Sequence, residues 1–186
     1  MADLILITGG ARSGKSSYAE QLARDVGERV LYVATAIGFD AEMQDRIARH
    51  RQQRPAHWDT WEGYQNLKTI FDDQSKTYDV ILLDCITLLV SNWILQQTEA
   101  TMVGWDGASL ERLEQRIIEE LRSFLDEAIR RNVTVIMVTN EVGFGIVPEN
   151  QLARIFRDVA GRVNQYIATR ARTVYLVVCG QALQIK

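Results

Sequence analysis

The sequence predicts an α/β fold, a mostly parallel sheet with helices on both faces, from three observations. Five apolar runs are continuous rather than alternating, as strands buried on both faces are. Segments of helical period separate most of them, the pattern of strand–helix–strand crossovers. The first run leads straight into a glycine-rich turn followed by a helical pattern.

Each element has its own signal. Leu4-Ile5-Leu6-Ile7-Thr8 is a short apolar run closed by Gly9-Gly10, a buried strand feeding a turn. Tyr18, Ala19, Leu22 and Ala23 then recur at helical spacing as far as Gly27. Arg29 to Thr35 reads as the second strand. Asp40 to Gln53 reads as a polar, basic helix with a thin apolar stripe of Met43 and Ile47, ended by Arg54-Pro55. His57 to Gly63 is ambiguous, with Trp58 and Trp61 three apart, and is assigned to no element. Tyr64 to Asp72 reads as a helix and Tyr78 to Asp84 as the third strand. Ile86 to Gln97 is a helix and Thr98 to Ala108 a loop. Leu110 to Arg131 is a long amphipathic helix, with Leu113, Ile117, Leu121, Phe124, Leu125 and Ala128 on one face. Val133 to Thr139 is the fourth strand, Gly143 to Pro148 a loop, Gln151 to Arg170 a helix and Val174 to Val178 the fifth strand. Ala182 to Ile185 allows a short last strand, antiparallel at the C-terminal edge. No repeat, low-complexity segment or linker interrupts the pattern, so one domain is expected over residues 1–186.

Composition narrows the class. The chain has 186 residues, 47% hydrophobic and 24% charged, which is the globular norm. A net charge of -3 offers no electrostatic footprint for nucleic acid or for a membrane surface. No apolar stretch reaches the ~18 residues of a membrane span, and strand-like sequence from about Asp3 leaves no room for a signal peptide. Cys85 and Cys179 both sit in apolar, strand-like runs and read as reduced core thiols. Neither has the spacing of a zinc site. A cytoplasmic protein is expected.

Chemistry concentrates first in Gly9-Gly10-Ala11-Arg12-Ser13-Gly14-Lys15-Ser16. Between a strand and a helix, such a loop turns successive backbone N–H groups toward phosphate oxygens and adds the helix's positive end. Lys15 reaches the outer phosphates, and the Ser16 hydroxyl enters a Mg²⁺ shell. This is a P-loop in its proper context, and it predicts a P-loop NTPase-like, RecA-like sheet. Asp84 closes the third strand, where a carboxylate suits Mg²⁺; capping the next helix is the other use of an Asp there. Arg46, Arg49, His50, Arg51 and Arg54 form a basic cluster, with Arg46 and His50 four apart on one helix face. Spacing alone favours a solvated basic face with an incidental histidine. The alternative is a cationic clamp around a nucleophile, since neighbouring arginines favour a neutral imidazole that can attack phosphorus.

The chain resembles the bifunctional adenosylcobinamide kinase / adenosylcobinamide-phosphate guanylyltransferase family. The resemblance runs nearly end to end: Thr8 to Ser16, Tyr32-Val33-Ala34-Thr35, Arg46-Ile47 with His50, Arg54-Pro55-Ala56-His57-Trp58 and Leu83-Asp84-Cys85-Ile86-Thr87. The stretches Val138 to Gly143, Gly145 to Asn150, Phe156-Arg157-Asp158 and Ala160 to Gln165 extend it, and the segment from Thr139 to Asn150 and the run Gly161 to Gln165 are more specific than the P-loop. The resemblance implies phosphorylation of adenosylcobinamide by ATP or GTP. It then implies transfer of GMP from GTP to the phosphorylated product, through a guanylylated histidine that aligns with His50. That reverses the reading from spacing alone. It also implies nucleotide contacts at Gly9, Gly10, Ala11, Arg12, Ser13, Gly14, Lys15, Ser16, Ala34, Thr35, Ala36, Arg51, Gln52, Gln53, Arg54, Glu62 and Asp84, with Lys15 catalytic beside His50. Glu62 would accept hydrogen bonds from guanine or ribose. Mg²⁺ would sit at Ser16 and Asp84.

The chain departs from its relatives in two places. Some relatives have two adjacent histidines where this sequence has Arg49-His50, and some have Glu at the position of Asp84. His57 reads as structural. A homotrimer follows by analogy, with the helix from Leu110 and the Trp105 loop available for subunit contacts. Two other readings use the same loop: a kinase of a different small molecule, and a non-enzymatic RecA-like nucleotide-binding module.

Overall fold

A computed structural model describes residues 2–38, 45, 51, 54–101 and 105–186. Strands β1 (Leu4–Gly9), β2 (Val30–Ala34), β3 (Asp59–Glu62), β4 (Val80–Asp84), β5 (Thr134–Val138), β6 (Thr173–Val178) and β7 (Gln181–Gln184) form a seven-stranded sheet in the order β3-β2-β4-β5-β1-β6-β7. All neighbours pair in parallel except β6 with β7, which are antiparallel. Strand β5 therefore separates the glycine-loop strand β1 from the Asp84 strand β4. The expected α/β fold with an antiparallel C-terminal edge is the one observed.

The period-2 alternation of each strand divides the core. Leu4, Leu6, Leu31, Val33, Ile81, Leu83, Val135 and Met137 face a large cluster under α2 (Ile86–Thr101), α3 (Gly107–Arg130) and α4 (Gln151–Arg170). Ile5, Ile7, Val30, Tyr32, Val80, Leu82, Ile136 and Val138 face α1 (Lys15–Val26) with Trp58. Both faces are apolar, so the strands read as continuous runs.

Helix α3 shows how pattern becomes position. Leu113, Ile117, Leu121, Phe124, Leu125 and Ala128 form its buried stripe, and Phe124 stacks on Phe71 at 5.8 Å between ring centres. The helix starts at a capping box: Asp106 accepts from the Ser109 N–H at 2.7 Å, and the Ser109 hydroxyl accepts from the Asp106 N–H at 3.1 Å. Helix α4 spans Gln151–Arg170 as expected and is capped by Asn150, which accepts from the Ala153 N–H at 3.0 Å.

Four expectations need correction. The unassigned His57 to Gly63 segment contains β3, a parallel edge strand beside β2; it is short and mostly exposed, so it lacks an apolar run. Tyr64 to Asp72 forms not an α-helix but a 3₁₀ turn over Leu67–Phe71, preceded by Asn66 at φ 57. Leu67, Ile70 and Phe71 are buried there at spacings that also suit an α-helix. The loop expected from Thr98 is shorter, because α2 continues to Thr101 and α3 begins at Gly107. Cys179 is exposed in the β6–β7 turn, whereas Cys85 is buried. Of the basic helix expected over 40–53, Asp45 and Arg51 are helical; Met43, Arg46, Ile47, Arg49, His50, Gln52 and Gln53 lie outside the described residues.

Phe124→Ala removes a ring buried among α3, Phe71 and the sheet, and it should cost about 3–5 kcal/mol. Urea unfolding followed by circular dichroism checks this.

Candidate active site

The glycine loop lies at the carboxyl edge of the parallel strands, where ligands bind in open α/β sheets. Gly9 ends β1 opposite Val177. A Cβ on Gly9 would lie 2.4 Å from the Val177 carbonyl oxygen and 2.7 Å from Ser13 Oγ. Gly14 has φ 94 and its missing Cβ faces Gly180 Cα at 3.1 Å. Sterics thus require glycine at both positions.

The loop is fastened through its carbonyls. Gly9 O accepts from the Glu141 N–H at 3.1 Å, and Gly10 O accepts from the Ser13 N–H at 3.3 Å. Gly10 O also accepts from Lys15 Nζ at 2.9 Å. Ser13 O accepts from the Gly180 N–H at 2.8 Å. Gly180 reaches it because Cys179 and Gly180 have φ 50 and 77, the positive pair of a tight two-residue hairpin. Helix α1 begins with no side-chain cap. Its first-turn N–H groups have no intrahelical acceptor, which leaves a partial positive charge at the loop. Ser13 Oγ is buried and has no hydrogen-bond partner among the described residues. Lys15 is buried, Ser16 is half-buried and Arg12, at φ 57, is exposed.

An acidic corner lies two strands away. The sheet register sets Glu62 beside Ala34 and Ala34 beside Asp84, one row with about 4.8 Å between strands. Asp84 shares the α1 face with Tyr32, whose hydroxyl donates to Asp84 Oδ2 at 2.9 Å. Burial and the neighbouring Asp84 hold the Tyr32 phenol far above its ordinary pKa, so it remains a donor. Burial raises the Glu20 carboxyl as well, with Arg24 opposing and Asp84 adding to the rise. The Asp84–Cys85 peptide bond is cis. Burial, with Asp84, pushes the Cys85 thiol up to about 11, which leaves it inert as a nucleophile near neutral pH.

Thr35 fixes this corner from behind. It is fully buried, donates through Oγ1 to Cys85 O at 2.7 Å and accepts there from the Cys85 N–H at 2.8 Å. Its carbonyl accepts from Asn92 Nδ2 at 2.7 Å. Its side chain is therefore engaged within the protein, whereas Ala34 and Ala36 line a cavity of about 510 Å³ with Trp61, Glu62 and Tyr64. Asp84 Oδ1, at the end of β4, and the Ser16 hydroxyl, in the first turn of α1, are hard oxygen donors at the same edge of the sheet. Mg²⁺ takes one or two such protein oxygens together with phosphate oxygens, so the donors present fit that ion.

The basic segment meets the same corner. The Arg54 guanidinium lies 3.6 Å from the centre of the Tyr32 ring, a cation–π contact. Its Nε and Nη1 are buried and have no hydrogen-bond partner among the described residues. Arg51 donates to Glu62 Oε1 from Nε at 3.0 Å and from Nη2 in a second, shorter contact. Arg51, Arg54, Trp58, Thr60 and Glu62 line a second cavity of about 410 Å³. Glu62 borders both cavities.

The loop of Gly9 to Ser16 on β1 and the row Glu62, Ala34 and Asp84 on β3, β2 and β4 thus lie at the same carboxyl edge of the sheet, and Arg51 and Arg54 meet that row through Glu62 and Tyr32, with Ala36 in the cavity beside it. Thr35 is set behind them, and His50, Gln52 and Gln53 lie outside the described residues. His57 is exposed and sits apart, beside Glu28, Asp59 and Lys76. Tyr32, Asn92 and the polar chain Asn164–Thr139 and Asn140–Thr87 were not read from the sequence as site-building groups. Thr139 Oγ1 donates to Asn164 Oδ1 at 2.7 Å, Asn164 Nδ2 to Asn140 O at 3.2 Å and Asn140 Nδ2 to Thr87 Oγ1 at 2.8 Å. An asparagine inside the apolar stretch from Ile86 to Ile94 is the signal that could have flagged Asn92.

Comparison with known sequences matches residues 5–185 to the family described as cobinamide kinase / cobinamide phosphate guanyltransferase. The chain is similar to the bifunctional adenosylcobalamin biosynthesis protein CobU of Escherichia coli K12, 46% identical over 184 residues, 98% of this chain and 99% of that protein. It is 47% identical to the CobU protein of Salmonella typhimurium LT2 over the same shares. It is 40% identical to the bifunctional adenosylcobalamin biosynthesis protein CobP of Pseudomonas aeruginosa, across 100% of this chain and 98% of that protein.

Two adjacent glycines should respond differently. Gly9→Ala drives a methyl into backbone, so it should destabilise by about 1–3 kcal/mol and loosen the loop. Gly10→Ala meets nothing within 4 Å and should change stability by no more than about 0.5 kcal/mol. Denaturant titration of the two variants checks the contrast.

Proposed function

The chain belongs to the cobinamide kinase / cobinamide phosphate guanyltransferase family, and from that premise we propose that it phosphorylates adenosylcobinamide and then guanylylates the product at the single edge described above. The observation that carries this reading is the Arg54–Tyr32–Asp84 contact. It ties the residues that follow His50 in the sequence to the end of β4, at the same sheet edge as the P-loop and two strands from β1.

Both reactions need in-line placement and charge neutralisation. In the kinase step the substrate's hydroxyl oxygen attacks the γ-phosphorus of ATP or GTP, the bond to the β-phosphate oxygen breaks, and the nucleoside diphosphate leaves. Lys15 and the loop amides hold the phosphates. Ser16 and Asp84 would hold Mg²⁺, which supplies positive charge to the transferring group. In the second step an imidazole nitrogen of His50 attacks the α-phosphorus of GTP, a P–N bond forms and pyrophosphate leaves. An oxygen of the phosphorylated corrinoid then attacks that phosphorus, the P–N bond breaks and GMP is transferred to give adenosylcobinamide-GDP. Arg51 and Arg54 would steady the developing negative charge. Glu62 and the aromatic walls of Trp61 and Tyr64 suit guanine, whose N–H groups a carboxylate accepts.

A cytoplasmic homotrimer is part of the same proposal, by analogy with the family. Among the described residues no helix is long and apolar enough to cross a membrane.

His50→Ala should abolish guanylyl transfer and leave kinase turnover measurable, whereas Lys15→Ala should depress both rates by at least about a hundredfold. Separate assays of phosphate transfer and of pyrophosphate release test this. Guanylyl transfer retained in His50→Ala would remove the histidine from the mechanism. Light scattering should give the mass of three chains.

A further inference from the structure

Tyr32 lies in an apolar strand and is only 2% exposed, yet it makes two directed contacts at the site. Its hydroxyl donates to Asp84 Oδ2 at 2.9 Å. Its ring lies under the Arg54 guanidinium at 3.6 Å. A leucine or phenylalanine would fill a core position as well, so hydrophobic burial does not account for a tyrosine. The two residues it touches carry opposite charges and belong to different parts of the chain. Asp84 ends β4, and Arg54 follows the basic segment.

We propose that Tyr32 is a positioning residue for the nucleotide reaction, holding the Asp84 carboxylate by its hydroxyl and the Arg54 guanidinium by its ring face. The inference rests on the reading of Asp84 as a Mg²⁺ holder and Arg54 as a phosphate contact. The hydroxyl occupies one carboxylate oxygen and fixes the plane of the group, so Oδ1 is the oxygen left to a cation. Hydrogen bonds to ligating carboxylates are the usual way an outer residue tunes a metal site. The ring covers one flat face of the guanidinium. Hydrogen bonds from a guanidinium leave through its edge, and Nε and Nη1 are buried there without an acceptor among the described residues. Charged donors in that condition are costly, and an anionic phosphate oxygen would satisfy them. One side chain thus sets the spacing between a group that would hold the cation and a group that would hold the phosphate.

The two contacts can be separated. Tyr32→Phe keeps the ring and removes the hydroxyl, whereas Tyr32→Leu removes both. Binding of an α,β-methylene GTP analogue, whose α-phosphorus cannot lose a diphosphate group to His50, is measured by calorimetry without corrinoid, once in EDTA and once across a MgCl₂ titration. Tyr32→Phe should keep the parental affinity in EDTA and need about tenfold more Mg²⁺ for half-saturation. Tyr32→Leu should share that defect and also bind about fivefold more weakly in EDTA, as Arg54→Ala should. Asp84→Asn should reproduce the Mg²⁺ defect. Parental Mg²⁺ dependence in Tyr32→Phe, with Asp84→Asn defective, overturns the hydroxyl's role. Equal EDTA affinities for the Phe and Leu variants, with Arg54→Ala weakened, overturn the ring's role. If Asp84→Asn and Arg54→Ala are themselves silent, the site reading fails and this inference falls with it. The Phe variant preserves the buried ring, so its arm decides the hydroxyl's role even if the Leu variant does not fold.

Discussion

The site depends on how the glycine loop divides its polar groups. A loop that is to surround phosphates must leave N–H groups for the ligand, and it must still be held rigidly. The structure meets both needs by fastening the loop through carbonyl oxygens. Gly9, Gly10 and Ser13 accept from Glu141, Lys15 and Gly180 respectively, three donors from three parts of the chain. Two of these anchors are downstream, after β5 and in the β6–β7 turn. The last hairpin and the segment after Val138 are thus structural supports of a loop that lies near the N-terminus. The same close approach explains why Gly9 and Gly14 tolerate no side chain.

The second half of the site follows from sheet register. Parallel pairing sets Glu62, Ala34 and Asp84 in one row, and alternation turns Tyr32 and Asp84 to the same face as α1. Of the arginines after the second strand, Arg51 finds its partner on that row, Glu62, and Arg54 lies over Tyr32, whose hydroxyl is bonded to Asp84. A phosphate loop and a basic arm facing one edge suit two transfers that share a nucleotide but differ in the phosphorus attacked. The γ-phosphorus needs only placement and charge. The α-phosphorus can be passed through a nitrogen nucleophile, which divides one displacement into two.

Much of this was legible in the sequence because the physics was local. Continuous apolar runs marked five of the strands, and the helical periods of α3 and α4 marked their buried faces. The P-loop carried its own context. What was not legible depended on distant partners. Edge strand β3 has no apolar run because only one strand pairs with it. Cys179 looks like a strand residue until the hairpin turn puts it outside. The resemblance implies a nucleotide contact at Thr35, but no local pattern shows that its hydroxyl bonds to Cys85, a residue 50 positions away. Tyr32 reads as core because its hydroxyl's partner lies on another strand. The family resemblance is what points to His50 as the proposed GMP carrier, since spacing alone would have assigned it to a solvated basic face.

The central claim is that one edge of the sheet serves both transfers, with His50 taking GMP from a nucleotide bound at the P-loop. The most direct measurement incubates the protein and MgCl₂ with GTP labelled in the α-phosphate and, separately, in the γ-phosphate, then maps the modified peptide. An acid-labile, base-stable adduct is expected from the α-label alone, located at His50 and lost in Lys15→Ala. Stable labelling from the γ-phosphate, an adduct at another residue, or undiminished labelling without Lys15 would contradict it.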